Sequence, residues 1–167
     1  LLTSSQFGER PNIYLSADFG ATWFSPLTLQ ASGGIFAMAF ASATLFYVGT
    51  TEGAVVRFSA SAGSWTQIRI DNVTAGALPL RGLIADIGID WADTTGKSIY
   101  IAFGGMGDYR HVWHFDGQRW TAKSGAPNST SKLLDVEHNA VVVDRVKPSH
   151  VYVGADIGVW RSSDQGA

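Results

Sequence analysis

Apolar residues along this chain come in short runs, many alternating with small or polar residues, and each run is cut off by a cluster rich in Gly, Asp, Ser or Asn. A period of two bounded by turn residues predicts β-strands. One group of segments falls near residues 35–41, 45–50, 54–60 and 64–69, and the next near 83–90, 98–103, 111–116 and 119–123. A last group covers 139–146, 150–154 and 158–162. At the front, residues 1–5, the strand Ile13-Tyr14-Leu15 and a strand after Trp23 make a group of three. The expectation is an all-β chain of fourteen strands grouped three, four, four, three.

The groups repeat one another. Each runs through an apolar strand, a Tyr-Val-Gly-like strand, a strand ending in Ser, Asp or Gly, and then a Trp. Ser16-Ala17-Asp18-Phe19-Gly20-Ala21-Thr22-Trp23 is the fullest copy of the turn, and Ser162-Ser163-Asp164-Gln165-Gly166 is a second. Phe115-Asp116-Gly117-Gln118-Arg119-Trp120 is a degenerate third, and Ser59 followed by Gly63-Ser64-Trp65 the loosest. Trp23 and Trp65 lie 42 positions apart, Trp65 and Trp120 55, close to the roughly 40–50 residues of a four-stranded propeller blade. The expected architecture is therefore a β-propeller of antiparallel blades, about three and a half of them, with pieces near 1–30, 31–70, 71–124 and 125–167 of one domain. Complete rings hold about four to eight blades. The two partial ends do not combine into one regular blade, so the open edges are expected to be covered by further blades of the same chain or by a second copy.

The pattern Ser16-x-Asp18-x-Gly20-x-Thr22-Trp23 resembles the Asp-box, or BNR repeat, of the sialidase-like, xyloglucanase-like and sortilin-like propellers. The resemblance implies that Ser16, Asp18, Gly20, Thr22 and Trp23, with Asp116, Gly117 and Trp120 and with Ser162, Asp164 and Gly166, are structural. In such turns a carboxylate and a hydroxyl bond turn amides, Gly permits positive φ, and Trp fills the space between blades. It also implies an extracellular or periplasmic protein whose ligand face is the rim opposite the Asp-box turns. That rim offers Glu9, Arg10, Glu52, Asp71, Arg81, Asp108, Tyr109, Arg110, Asp135, Glu137, His138 and Asp156. Glu9, Arg10, Glu52, Tyr109 and Arg110 are the candidate binding residues.

Gly154-Ala155-Asp156-Ile157-Gly158 is similar to a segment of xyloglucan-cleaving two-propeller glycoside hydrolases in which the aspartate is catalytic. Glycoside hydrolysis takes two carboxyl groups on one face, and Asp156 with Asp108, or with Glu52, is the candidate pair. The arginine triad of a sialidase has no identifiable counterpart, since Arg57, Arg69 and Arg119 sit on or near strands. Two functions follow: a module binding a glycan or protein through that rim, or, alternatively, a glycoside hydrolase.

Composition removes other classes. A net charge of -2 with scattered arginines gathers no phosphate backbone, so nucleic acid is not an expected partner. No apolar run approaches the roughly 20 residues of a membrane span, and Leu1-Leu2-Thr3 lacks the features of a signal peptide. With no cysteine there is no disulfide or thiolate site. His111, His114, His138 and His150 form no ligand motif, and His111 and His114 are expected on opposite faces of a strand. No metal or cofactor is expected. Asn72-Val73-Thr74 and Asn128-Ser129-Thr130 match the glycosylation acceptor pattern.

Overall fold

The computed structural model describes residues 2–5, 10–24, 26–74, 76–78 and 82–167, the first four as backbone only. These contain fourteen strands and no helix. Sheet I is β1 (Leu2–Ser5), β2 (Asn12–Leu15) and β3 (Leu27–Thr28). Sheet II is β4 (Ile35–Ser42), β5 (Leu45–Thr50), β6 (Val55–Ser61) and β7 (Ser64–Arg69). Sheet III is β8 (Ile84–Ile89), β9 (Ile99–Phe103), β10 (Val112–Phe115) and β11 (Trp120–Ala122). Sheet IV is β12 (His138–Val143), β13 (Val151–Ala155) and β14 (Gly158–Ser162). Every sheet is an antiparallel meander in chain order. The strand expected over 139–146 ends early, at Val143, because the Asp144 carboxylate accepts the N–H groups of Val146 (2.8 Å) and Lys147 (3.1 Å) and turns the chain.

The sheets pack in sequence, each against the next. Phe46 and Val48 of β5 join Ile13 and Leu29 in the I/II core, while Tyr47 between them faces the II/III core with Ile84 and Ile101. On β9, Ile99, Ile101 and Phe103 face sheet II, and Tyr100 and Ala102 face Val141 and Val153 of sheet IV. These middle strands therefore read as unbroken apolar runs: both of their faces are dry. The first strands adjoin, β4 against β8 and β8 against β12. The approach is close. A Cβ on Gly49 would lie 2.4 Å from Ile84 Cγ2, and one on Gly88 2.8 Å from the Val141 carbonyl oxygen.

The first strands share another irregularity. Register shifts between Ile35 and Ala37, between Ile84 and Asp86, and between His138 and Ala140, so each carries a bulge at the same place. At the second of these, Asp86 takes the Ile87 N–H on Oδ1 and reaches across to the Val141 N–H with Oδ2, both at 2.9 Å, joining sheet III to sheet IV.

The Ser-Asp-Gly turns after β2 and β14 are built alike. Ser16 Oγ donates to Asp18 Oδ1 (2.8 Å) and accepts the Gly20 N–H (2.7 Å); Ser162 Oγ donates to Asp164 Oδ1 (2.5 Å) and accepts the Gly166 N–H (2.7 Å). Both pass through positive φ at two consecutive residues, Phe19 and Gly20 in one, Gln165 and Gly166 in the other. Thr22 closes the first turn, giving its N–H to Asp18 Oδ1 (2.9 Å) and its hydroxyl to Oδ2 (2.6 Å). Those Thr22 bonds, followed by the Ser16 hydroxyl, hold the Asp18 carboxyl down at about 2. In the degenerate turn Asp116 Oδ1 accepts from the Gln118 and Arg119 amides, both at 2.9 Å.

The tryptophans divide. Trp120 is 4% exposed in the II/III core and its Nε1–H donates to the Ile70 carbonyl at 2.7 Å. Trp65 packs on Phe46 in the I/II core, ring centroids 5.0 Å apart. Each seats against the preceding sheet. Trp23, expected to fill such a space, is instead 42% exposed, because among the described residues no sheet lies before sheet I. Truncating Trp120 to Ala should accordingly cost about 3–5 kcal/mol in denaturant unfolding, and Trp23→Ala about 1 kcal/mol or less. Asp18 supplies a second expectation. Its folded value is depressed, so its contribution is full above the unfolded value of about 3.9 and is lost as pH falls towards 2. The melting temperatures of the wild type and Asp18→Asn should thus differ at neutral pH and converge between those limits.

Candidate functional site

A meander places the connections of each sheet at alternate ends. The Ser-Asp-Gly turns, the two-residue turn of Ala62 and Gly63, and residues 116–119 lie at one, the turn end. The β5–β6, β9–β10 and β13–β14 loops, with the segments entering β4, β8 and β12, lie at the other, the loop end. The loop end is held in a repeated way: Thr51 N–H donates to the Gly34 carbonyl (2.9 Å), Gly104 to Leu83 (3.0 Å), and Asp156 to Glu137 (3.2 Å).

At the III/IV part of this end, residues 107–110 face Pro127 and residues 132–135 across an open cleft of about 710 Å³. One wall is rigid. Arg110 Nε donates to both Asp108 oxygens (3.0 and 3.1 Å), its Nη2 to Oδ2 (2.6 Å), and its own amide to Oδ1 (2.9 Å). Trp113 Nε1–H caps the Arg110 carbonyl at 2.8 Å. From the opposite wall the Lys132 ammonium stands 5.1 Å from the Tyr109 ring centroid, anchored on the Pro127 carbonyl at 2.8 Å. Both cations of the cleft are thus engaged before any ligand arrives, leaving a ring, a fixed carboxylate and a fixed guanidinium presented together.

Behind the cleft lies a polar cluster. Asp135 accepts the Gly107 N–H with both oxygens (2.9 and 3.1 Å) and faces His111 Nε2 at 3.2 Å. The buried His111 ring stacks on His138, centroids 4.4 Å apart, and its Nδ1 faces the Phe103 carbonyl at 3.4 Å. His138 is fully buried, donates from Nδ1 to the Val136 carbonyl at 2.6 Å, and its Nε2 has no partner. Burial pushes the His138 ring below the ordinary histidine value. Asp156 lies close enough to act on it electrostatically and is itself held by Asn139 Nδ2–H at 2.7 Å.

Other expected rim residues separate from this group. Glu9 and Arg81 lie outside the described residues. Arg10 and Glu52 are exposed and do not line the cleft, and neither does Asp156, so the cleft joins Asp108 to Asp135 and not to the other proposed carboxylates. Asp71 is a correction: it is 1% exposed and structural, accepting the Val55 N–H at 3.1 Å and pairing with Arg69 Nη2 at 2.6 Å. His138 is a second correction, since it is core rather than solvated rim. His111 and His114 do not take opposite faces of a strand: His111 precedes β10 and stacks on His138 of sheet IV, and His114 bonds Ser98 Oγ at 2.7 Å and stacks on Tyr100, which faces sheet IV too. Among the described residues no three His, Asp or Glu side chains are arranged to hold a metal, and no helix is long and apolar enough to cross a membrane.

The His111–His138 pair has no linear motif, but the repeat marks it. Aligned on the bulge, His138 occupies the position of Ile35 and Ile84, and His111 precedes β10 as Ala54 precedes β6. A buried polar ring where sister sheets bury an alkyl group carries a desolvation cost. The chain matches no family model, and no curated protein is significantly similar to it.

Removing the Asp71 carboxylate should leave the Val55 N–H unpaired in the core. Asp71→Ala is expected to lose about 1–3 kcal/mol, read as a lower urea midpoint, with the amide resonances of residues 107–110 unmoved.

Proposed function

We propose that the chain forms consecutive blades of an Asp-box β-propeller and binds a glycan, or a protein ligand, through its loop end. Three features support the blade reading: meander sheets packed in sequence, first strands that adjoin, and one Ser-Asp-Gly turn geometry built twice, after β2 and after β14. The observation that carries the binding reading is the cleft itself, where Tyr109, Arg110 and Asp108 are pre-positioned by Lys132, Trp113 and one another. An aromatic face beside a planar donor and a carboxylate suits a polyhydroxylated ring, which offers both C–H and O–H surfaces. Preorganised side chains lose little entropy on binding.

A hydrolase reading fits this arrangement less well. Both oxygens of Asp108 accept bonds from the Arg110 guanidinium, so a substrate oxygen would have to displace Arg110 to reach them. Asp156, tethered by Asn139, is outside the cleft that Asp108 lines. Binding is therefore the reading to which the chemistry points, and secretion is part of that proposal.

A glycan array probed with the labelled chain tests it. Tyr109→Ala and Arg110→Ala should each weaken any captured glycan at least about tenfold, the loss expected for a central anchor, while Asp18→Asn leaves affinity unchanged. A ligand retained by both cleft variants would place the binding surface elsewhere. Asp156→Asn is the control for catalysis: hydrolysis of a captured oligosaccharide by the wild type, abolished in this variant, would overturn the binding-only reading.

A further inference from the structure

We infer that His138 and His111 are positioning residues forming an acid-sensitive latch for the 104–110 loop. The latch runs through three contacts. His138 stacks on His111, His111 faces Asp135, and Asp135 grips the backbone of Gly107 beside the cleft. Gly107 itself has φ of 110°, a region that glycine enters freely, so the bonds to Asp135 and not the backbone fix the loop there.

The two rings differ in their partners. His111 has an acceptor facing each nitrogen, a carbonyl at Nδ1 and a carboxylate at Nε2. His138 has one acceptor for Nδ1–H and nothing for Nε2, so the neutral ring with a bare Nε2 is the form that fits. The groups facing His138 are His111 at the start of β10, Asp135 from the preceding segment, Asp156 from the β13–β14 loop and the Trp160 ring of β14 at 6.0 Å. The two carboxylates favour a charge on it; burial and the His111 ring oppose one, and burial is the largest influence.

A proton on His138 would bury an N–H with no acceptor and a charge 4.4 Å from the centre of the stacked His111 ring. The stack can relieve this by separating, and His111 then leaves Asp135. Because the closed loop requires neutral His138, the open state takes the proton more readily. The latch is at full strength above the ordinary histidine value of about 6.5 and weakens as pH falls below it. Ile at this position in the sister sheets has no such dependence. The loop transition stands independently of any ligand; its consequence, release of ligand in acid, rests on the binding function proposed above.

The test is the Gly107 amide in ¹H–¹⁵N spectra of the full chain between pH 7.5 and 5.0. In the wild type this resonance should shift with a midpoint below about 6.5, and its hydrogen exchange, corrected for intrinsic rate, should rise at least about tenfold, while the amide of the core residue Tyr47 stays protected. His138→Ile should abolish the midpoint and hold the loop closed throughout, and Asp135→Ala should free Gly107 already at pH 7.5. A wild-type Gly107 amide unchanged down to pH 5.0, or the same midpoint in His138→Ile, overturns the latch. Should His138→Ile fail to fold, the wild-type ¹⁵N shifts of the His138 ring decide: a ring that titrates at the ordinary value without moving Gly107 also overturns it. Glycan capture at pH 7.5 and 5.0 separates the two ideas, since an intact Gly107 transition with no capture at either pH sinks the binding function and leaves the latch.

Discussion

Phe46 and Tyr47 are neighbours on one strand and belong to two different cores. The same division recurs one sheet later, where Ile101 faces sheet II and Tyr100 faces sheet IV. Burial on both faces of the middle strands is the constraint from which the arrangement follows. A sheet with two apolar faces is not satisfied by one partner, so every interior sheet takes a neighbour on each side and the chain advances by repetition. It also explains where glycine is required. Gly49 and Gly88 lie where one sheet comes within van der Waals range of the next, and a methyl group at either would meet Ile84 or the backbone of Val141.

Much of this was legible in the sequence, because strand period and turn chemistry are local. Twelve of the fourteen strands lie where alternation and Gly/Asp punctuation place them to within a residue or two; β3 falls at Leu27–Thr28, where the punctuation reads as a connecting loop, and the end of β12 falls short. Local patterns were silent about what lies across an interface. Asp71 reads as a solvated loop residue, yet it is buried because the Val55 amide and Arg69 converge on it from β6 and β7. Trp23 has the sequence of a seated tryptophan, and its exposure depends on a neighbour its own segment does not encode. His138 was hidden for a different reason. Its character emerges only when three bulges are superimposed and one of them presents an imidazole in place of an isoleucine.

The two ends of the sheets follow different physical strategies. At the turn end, polar groups are consumed locally: Asp18, Asp116 and Asp164 bond within a few residues, and all three carboxyls are depressed by those bonds. At the loop end, polar groups reach between segments distant in sequence, as Asp135 does to Gly107 and His111, and Asn139 to Asp156. Local turns fold themselves. Long-range polar contacts require the sheets to be in place first, and they are the ones that changes in protonation can rearrange.

The half-buried Asp86 carboxylate, set at a bulge of β8 and bonded across to β12, bears on the cleft from a distance. Apolar seams tolerate sliding, because dispersion attraction has no direction and a methyl group that leaves one alkyl neighbour soon meets another. A bond to a single amide does not, and one with a charged acceptor is worth about 1.5–3 kcal/mol. Asp86 acts as an index pin: it sets the pitch of sheet IV against sheet III, and so the gauge between the residues each contributes to the loop end. Asp86 does not line the cleft, yet the tolerance to which its walls are aligned depends on it.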